Sequence, residues 1–444
     1  MTKEPAIREI ILDILLEVLE KKQYSHIVLS QALTKYQYLD KQNRSFIKRI
    51  VDGTIEYLVQ IDHIINLYST TKVNKMKPVI RTILRMSVYQ IYYMDRVPDS
   101  AACNEAVKLS ERRGFRNLKG FVNGVLRNIS RNKESIVFKE EYVRYSVPEW
   151  LFKRIRDQYG AEKTDRILNS FLENRSLTVR FNTQKVPLSV ILDSLKEQGV
   201  TAVQSSFSDQ VYSLSGVDYL EGLSVFNEGF LQVQDLSSSL AGDAAGIRPD
   251  SFVIDVCAAP GGKSIHAAEI MQGSGMVEAR DLSEAKVALI TQNIERTGCQ
   301  NIKAVVQDAL QFDESSEKKA DVLIADLPCS GLGIIGRKPD IKFNVTPERI
   351  EELSKLQREI LSVVYRYVKP GGTLVYSTCT IDRAENEENI NWFLENYPFT
   401  PADISGRLGE GLTDASMKNG YIQLLPGIHP CDGFFIAVMK RNEE

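Results

Sequence analysis

The chain has 444 residues, 43% of them hydrophobic, which is enough to bury more than one core and suggests two or three domains. No run of about 18 residues is both apolar and free of charge, so no membrane span is expected. The net charge of −3 hides an asymmetry: residues 1–140 carry 24 Lys and Arg against 15 Asp and Glu, while the remainder carries 31 against 43.

A basic N-terminal third on an acidic remainder suits a polyanion-binding module attached to something else, although a solvated helix face gives the same count. The opening stretch "MTKEPAIREIILDILLEVLE" has Glu17 and Glu20 inside its apolar periodicity and reads as an amphipathic helix, not a signal peptide. Further helical patterns are "RSFIKRIVDGTIEYLV", "LKGFVNGVLRNISR" and "KPVIRTILRMSVYQIYYM". The last places Ile80, Ile83, Leu84, Tyr89 and Ile91 along one side, with Pro78 suited to its first turn and Pro98 beyond its end. Basic residues group in "KQNRSFIKR" and "ERRGFRNLKGF", the latter interleaved with Phe115 and Phe121. Arg and Lys contact phosphates and a nearby aromatic can stack on a base, but such phenylalanines are also ordinary core. Residues 1–140 therefore form an all-helical domain.

Residues 141–234 change texture. The helix "PEWLFKRIRDQYG" is followed by the strand-like runs "SLTVRFNT" and "DQVYSL", separated by the helix "VPLSVILDSLKEQG", which predicts a small α+β subdomain. From Asp235 to the end, the apolar runs "SFVIDVCA", "GMVEARD", "IKAVVQD", "DVLIADLP", "GTLVYSTC" and "GFFIAVMK" alternate with amphipathic helices. This alternation predicts an α/β, doubly wound, mainly parallel sheet over 235–444, in which ligands sit outside the carboxyl ends of the strands. Cys257, Asp281, Asp308, Asp326, Cys329 and Cys379 all fall at or just after predicted strand ends and should converge on one sheet edge. The six cysteines (Cys103, Cys257, Cys299, Cys329, Cys379, Cys431) include no CxxC pair, and His26, His63, His266 and His429 show no metal-ligand spacing. Neither a disulfide framework nor a metal is expected, and a reducing cytoplasm fits.

In "DVCAAPGGKS" a Gly-rich turn joins strand to helix, so backbone amides can approach a ligand. Asp281 follows Gly261 by 20 residues, where an acid accepts hydrogen bonds from ribose hydroxyls. Together they point to a nucleoside-bearing cofactor. The rival is a P-loop NTPase, since "CAAPGGKS" is GxxxxGK[ST] with Cys257 in place of the first glycine. Against it, a phosphate cradle needs free backbone N–H groups and Pro260 has none, and the reading leaves Asp281 and both strand-end cysteines unemployed. The second constellation is "DLPCSG" with "YSTCT". A thiolate adding to C6 of a pyrimidine makes C5 able to take a methyl group, and a carboxylate can hold the N3/N4 edge of cytosine meanwhile. A lone cysteine behind an apolar run is also an ordinary buried residue, and it is the company of a second thiol and an acid that favours chemistry.

The combination "CAAPGGK", "DLPCSGLG" and "YSTCT" followed by "ENEENI" resembles the RNA cytosine-5 methyltransferases of the RsmB/NOP family, which use S-adenosylmethionine. "SLTVRFNT" and "GFLQVQDLSSSL" resemble that family's small RNA-binding subdomain, and the basic helical N-terminus resembles a NusB-type domain, a pairing that points to bacterial enzymes acting on 16S ribosomal RNA. The resemblance implies a Rossmann-like methyltransferase domain. It makes Cys257, Ala258, Ala259, Pro260, Gly261, Gly262 and Lys263 the cofactor loop, places Asp281 on the ribose and Asp308 near the adenine, and sets Asp326 between cofactor and target base. It also implies that Cys379 is the nucleophile, as in RNA enzymes, and not the Pro-Cys thiol used by DNA enzymes; Cys329 then assists product release. "TCT" stands where relatives often read "TCS", which disturbs none of these roles. The implied partner is 16S ribosomal RNA, with no membrane, no metal and a monomeric protein. Two other readings compete: an RNA-binding assembly factor with an inert catalytic half, and a protein or small-molecule methyltransferase, which leaves the two thiols and the basic domain unexplained.

Overall fold

The computed structural model describes residues 6–173, 175–409 and 411–443, so the first five residues of the N-terminal amphipathic stretch lie outside the description. The chain divides into two compact units. One holds Met1–Leu172 together with Arg337–Asn344, and the other holds Glu173–Gly336 and Val345–Glu444.

The first unit is helical among its described residues. Its main helices are α1 (Ile7–Leu19), α2 (Ser25–Lys35), α3 (Lys41–Glu56), α4 (Leu58–Tyr68), α5 (Pro78–Tyr93), α6 (Asp99–Arg112) and α7 (Lys119–Asn132). Local chemistry sets several of their ends. Asp40 caps α3 by accepting the Asn43 N–H at 2.7 Å, and Pro78 occupies the first position of α5, where a missing N–H costs nothing. The expected apolar side of α5 is buried, but so are Thr82, Met86, Ser87, Val88 and Gln90, so this helix is the centre of the bundle and not a surface element. Tyr89 packs over Gly53, where a Cβ would lie 2.0 Å from the tyrosine ring. The pattern read as one helix over "RSFIKRIVDGTIEYLV" is divided at Tyr57, whose ring stacks on Tyr93 at 4.2 Å between centroids. The helix Glu149–Ser170 is interrupted at Gly160 (φ 73°), where the predicted helix "PEWLFKRIRDQYG" ends. Phe115 and Phe121 pack against the helical core.

Eight residues from far along the chain complete this unit. Asp340 accepts the Ser25 N–H (3.2 Å) and the Ser25 hydroxyl (2.5 Å), and so caps the first turn of α2, whose preceding residue Tyr24 makes no side-chain cap. Phe343 packs against the helical core, and the Lys342 ammonium, 1% exposed, donates to the carbonyl of Glu56 at 2.6 Å. Burial lowers the Lys342 pKa to about 7 and raises that of Glu56 to about 7.

The second unit contains two sheets among its described residues. The small antiparallel sheet has the order β2-β3-β1-β4, from β1 (Leu177–Phe181), β2 (Thr201–Ser205), β3 (Ser208–Ser215) and β4 (Leu231–Val233). Val179, Phe181, Tyr212, Leu214 and Leu231 pack on the helix Leu188–Glu197 through Ile191 and Leu195. Arg180, buried on the opposite face, donates to Gln234 (2.7 Å) and pairs with Glu269, tying the small sheet to the helix Gly262–Ile270 of the larger fold.

The large sheet has the order β10-β12-β9-β8-β5-β6-β7, with β11 also pairing β12. Its strands are β5 (Phe252–Asp255), β6 (Met276–Asp281), β7 (Ile302–Val306), β8 (Ala320–Asp326), β9 (Val368–Thr378), β10 (Phe399–Pro401), β11 (Tyr421–Leu424) and β12 (Phe434–Arg441). β7, β6, β5, β8 and β9 are parallel, as the alternation of strand and helix predicts, and β10 to β12 add antiparallel pairings. Alternate residues face two cores, with Val253, Val322, Ile324 and Val375 on one side and Ile254, Leu323, Leu374 and Tyr376 on the other, so both faces are covered. The chain order reverses between β5 and β8, which is where such sheets open a crevice at their carboxyl edge.

Candidate active site

The turn after β5 begins the site. Gly261 has φ 103°, a left-handed conformation that glycine adopts without strain, and it starts the helix Gly262–Ile270. An added Cβ at Gly262 would meet nothing within 4 Å, so the backbone there stands open to a ligand. The turn is fixed from below: Ala258 N–H donates to the Arg280 carbonyl (2.8 Å), and Asn293 donates to the Pro260 carbonyl (3.0 Å). Asp255 accepts the Ser264 hydroxyl at 2.7 Å, and burial raises its pKa to about 7. Cys257 sits inside this turn, its thiol pushed far up by burial, which makes it a lining residue and not a thiolate.

Asp281 ends β6. One carboxylate oxygen accepts the Ala259 N–H (3.0 Å), and the other accepts the Leu282 N–H (2.8 Å) and pairs with Lys286 (3.0 Å). Asp308 lies two residues past β7 and accepts the Leu310 N–H at 2.9 Å. Each acid has an exposed apolar side chain close behind it, Leu282 (62% exposed) and Leu310. Open glycine backbone, strand-end acids and adjacent exposed apolar surface are what a nucleoside-bearing cofactor requires.

Asp326 ends β8 in register with Ser377 of β9. Its oxygens accept the Ser377 hydroxyl (2.8 Å) and the Lys263 ammonium (2.7 Å), so the last residue of the glycine turn is paired to the acid of "DLPC". The two thiols meet beyond it: Cys329 Sγ and Cys379 Sγ are 3.3 Å apart. The Cys329 thiol is pushed well up, first by its hydrogen bond to Cys379 and then by burial, which keeps it protonated. The two thiols lie within hydrogen-bond reach of each other, and either can donate. All six cysteines are free, and no group of three or more His, Cys, Asp or Glu side chains among the described residues is placed to hold a metal ion.

Cys329, Cys379, Asp326 and Lys263 thus stand together, while Cys257, Asp281 and Asp308 lie at and after the ends of β5, β6 and β7. Ser377, Gln357 and Glu385 received no role from sequence reasoning. Ser377 carried a usable signal, a hydroxyl two residues before Cys379 in an otherwise apolar strand, hence on the same face. Gln357 lies mid-helix within Pro347–Val364 and gave none.

Three family models match the chain: the NusB family over residues 5–131, an RsmF/B-like methyltransferase, ferredoxin-like domain over 147–216, and 16S rRNA methyltransferase RsmB/F over 245–440. The probable ribosomal RNA small subunit methyltransferase B of Bacillus subtilis (strain 168) is 37% identical, covering 99% of this chain and 100% of its own. That of Synechocystis sp. (strain ATCC 27184 / PCC 6803 / Kazusa) is 32% identical over 98% and 99%. The crystal structure of a protein designated PH0851 superposes with a TM-score of 0.83 at 28% identity, covering 98% of each chain. With full-length identity above 30% and the thiol pair, acid and glycine turn in one place, the chain belongs to the 16S rRNA methyltransferase RsmB/F family.

Proposed function

We propose that this protein transfers the methyl group of S-adenosylmethionine to C5 of a cytosine in 16S ribosomal RNA, through a covalent bond between Cys379 and C6 of the base. The observation that carries the reading is the thiol pair, 3.3 Å apart and beside an acid whose partner belongs to the cofactor turn. A methyltransferase acting on an exocyclic atom or a ring nitrogen has no use for two adjacent thiols.

Cys257 to Lys263 would hold the cofactor along the turn, Asp281 its ribose, and Asp308 with Leu282 and Leu310 its base. S-adenosylmethionine, when bound, supplies an electron-poor methyl group. Cys379, its proton lost to solvent, gives a sulfur electron pair to C6; the C5–C6 π pair moves to C4–C5 as N3 takes up a proton, leaving an enamine nucleophilic at C5. Asp326 holds the exocyclic amine of cytosine, fixed by Ser377 on one side and Lys263 on the other. The C5 proton then passes to water, its bonding pair re-forms the C5–C6 double bond, and the C6–S pair returns to the Cys379 sulfur as the ring is restored. Cys329 serves that step, because its thiol lies 3.3 Å from the sulfur that departs and can donate to it as it leaves. The base must be out of its stack to reach these groups. The basic helices supply phosphate contacts that place the RNA.

The test is bisulfite sequencing of 16S ribosomal RNA from cells with and without the gene. One protected cytosine should be lost with the gene and restored by the wild-type protein but not by Cys379→Ala. Unchanged protection at every cytosine would instead favour an RNA-binding assembly factor.

A further inference from the structure

Glu385, in the turn between β9 and the helix Glu387–Asn396, is 0% exposed, and no cationic side chain pairs with it among the described residues. A buried carboxylate without a counter-ion costs several kcal/mol unless hydrogen bonds offset it. Its partners explain the cost. One oxygen accepts the Ser330 N–H (2.9 Å) and the Gln357 amide (3.0 Å), and the other accepts the Ser330 hydroxyl. Gln357 also donates to the Pro328 carbonyl (2.9 Å), so the residues on both sides of Cys329 are tied to this one carboxylate. From Ser330 the chain of bonds continues to the Thr380 hydroxyl at 2.7 Å, next to Cys379. All three groups facing Glu385 are donors, and a carboxylate offers them two acceptor oxygens.

We propose that Glu385 is a positioning residue that couples the Cys329 turn to the Cys379 turn and thereby sets the separation of the two thiols. This rests on the reading of Cys379 as the attacking group and Cys329 as the releasing group. Cys379 directly follows the last residue of β9, whereas Cys329 lies three residues past the end of β8, on a turn that the Glu385 contacts help to hold. Loss of Glu385 should therefore spare attack and impair release. Burial raises the Glu385 pKa, so the neutral isostere fits the same pocket. In Glu385→Gln the amide oxygen can accept from Ser330 N–H and Gln357 while the amide nitrogen donates to the Ser330 hydroxyl, and geometry is kept.

The experiment compares wild type, Glu385→Ala, Glu385→Gln and Cys329→Ala. It measures turnover on 16S ribosomal RNA, S-adenosylmethionine affinity, RNA trapped as a denaturation-resistant protein adduct, and the Sγ–Sγ separation by crystallography. Glu385→Ala should lose about 100-fold in turnover with unchanged cofactor affinity. It should trap adduct as Cys329→Ala does, and its sulfurs should part by more than about 0.5 Å. Glu385→Gln should keep the separation and stay within about fivefold of wild type, a difference near 1 kcal/mol. An unmoved thiol pair in Glu385→Ala overturns the proposal. So does a lack of adduct in Glu385→Ala when Cys329→Ala traps it. If the sulfurs part but Cys329→Ala traps nothing, the assigned thiol roles are wrong and the positioning stands. Should Glu385→Ala fail to fold, Ser330→Ala, which removes one hydroxyl from the same chain of bonds, carries the same outcomes at smaller amplitude.

Discussion

Gly333→Ala probes the closest backbone approach in the site. The Gly333 N–H donates to the Cys379 carbonyl (3.0 Å), and the Gly333 carbonyl accepts the Gly433 N–H (2.9 Å). A Cβ at Gly333 would lie 2.0 Å from the Gly433 carbonyl oxygen and 2.8 Å from that of Cys379. Real Cβ atoms keep at least 3.0 Å from such neighbours, so the segments must part by about 1 Å, and both acceptors are backbone atoms that cannot rotate away. Losing two backbone hydrogen bonds costs about 1 kcal/mol each, and overpacking adds roughly 1–3 kcal/mol, giving about 3–5 kcal/mol in all. A 1 Å displacement at the thiol pair should also lower methyl transfer about 100-fold. Urea unfolding of the full chain, followed through the methyltransferase transition, measures the first quantity, and incorporation of labelled methyl into 16S ribosomal RNA measures the second. A variant within about 0.5 kcal/mol and threefold of wild type would refute the idea that this contact holds the two cysteine turns in place.

Asp340→Ala removes the cap of α2 and leaves two buried Ser25 donors without an acceptor, so amide exchange in that first turn should speed up by roughly 30-fold, or about 2 kcal/mol; unchanged protection would show that water replaces the cap. The Lys342 pKa is about 7 folded against 10.5 unfolded, so between those values the unfolded state binds more protons and stability should rise with pH; Lys342→Met should remove that rise. Glu56, raised from 4.5 to about 7, acts below that window in the opposite sense, its contribution being lost as pH climbs from 4.5 to 7, and Glu56→Gln should abolish the fall. Asp281→Ala should weaken S-adenosylmethionine at least tenfold by calorimetry, and equal affinity would take Asp281 out of the cofactor site. Replacing exposed Arg116 with Gln should reduce the salt dependence of RNA affinity by about one counterion, and an unchanged slope would place Arg116 away from phosphates.

The strand ends were legible in the sequence because each couples a β run to a polar terminus, and a parallel sheet brings such termini to one edge. Asp281, Asp326 and Cys329 followed from that rule. The short strands β2 and β4 gave little signal, since "TAVQS" is largely exposed and carries no apolar alternation. Tyr57 breaks a helix without a proline or glycine to mark the place, whereas the break at Gly160 falls where the predicted helix "PEWLFKRIRDQYG" ends. The segment Arg337–Asn344 was illegible for a different reason. No local pattern marks Asp340 or Lys342 for burial, and only partners some 300 residues away, Ser25 and Glu56, make them buried caps. Glu385 lay within "ENEENI", but local sequence does not show that its carboxylate reaches Ser330. Contacts of this kind are set by tertiary packing, which overrides local pattern.

Trapping of RNA on single-cysteine variants distinguishes attack by Cys379 and release by Cys329 from the alternatives. Each variant is incubated with 16S ribosomal RNA and S-adenosylmethionine and run on a denaturing gel. Cys329→Ala should carry RNA that survives denaturation and bears the new methyl group, whereas Cys379→Ala should carry none and transfer no methyl. Adduct in Cys379→Ala with none in Cys329→Ala would assign attack to the Pro-Cys thiol, and adduct unaffected by either change would leave both cysteines with a structural role alone.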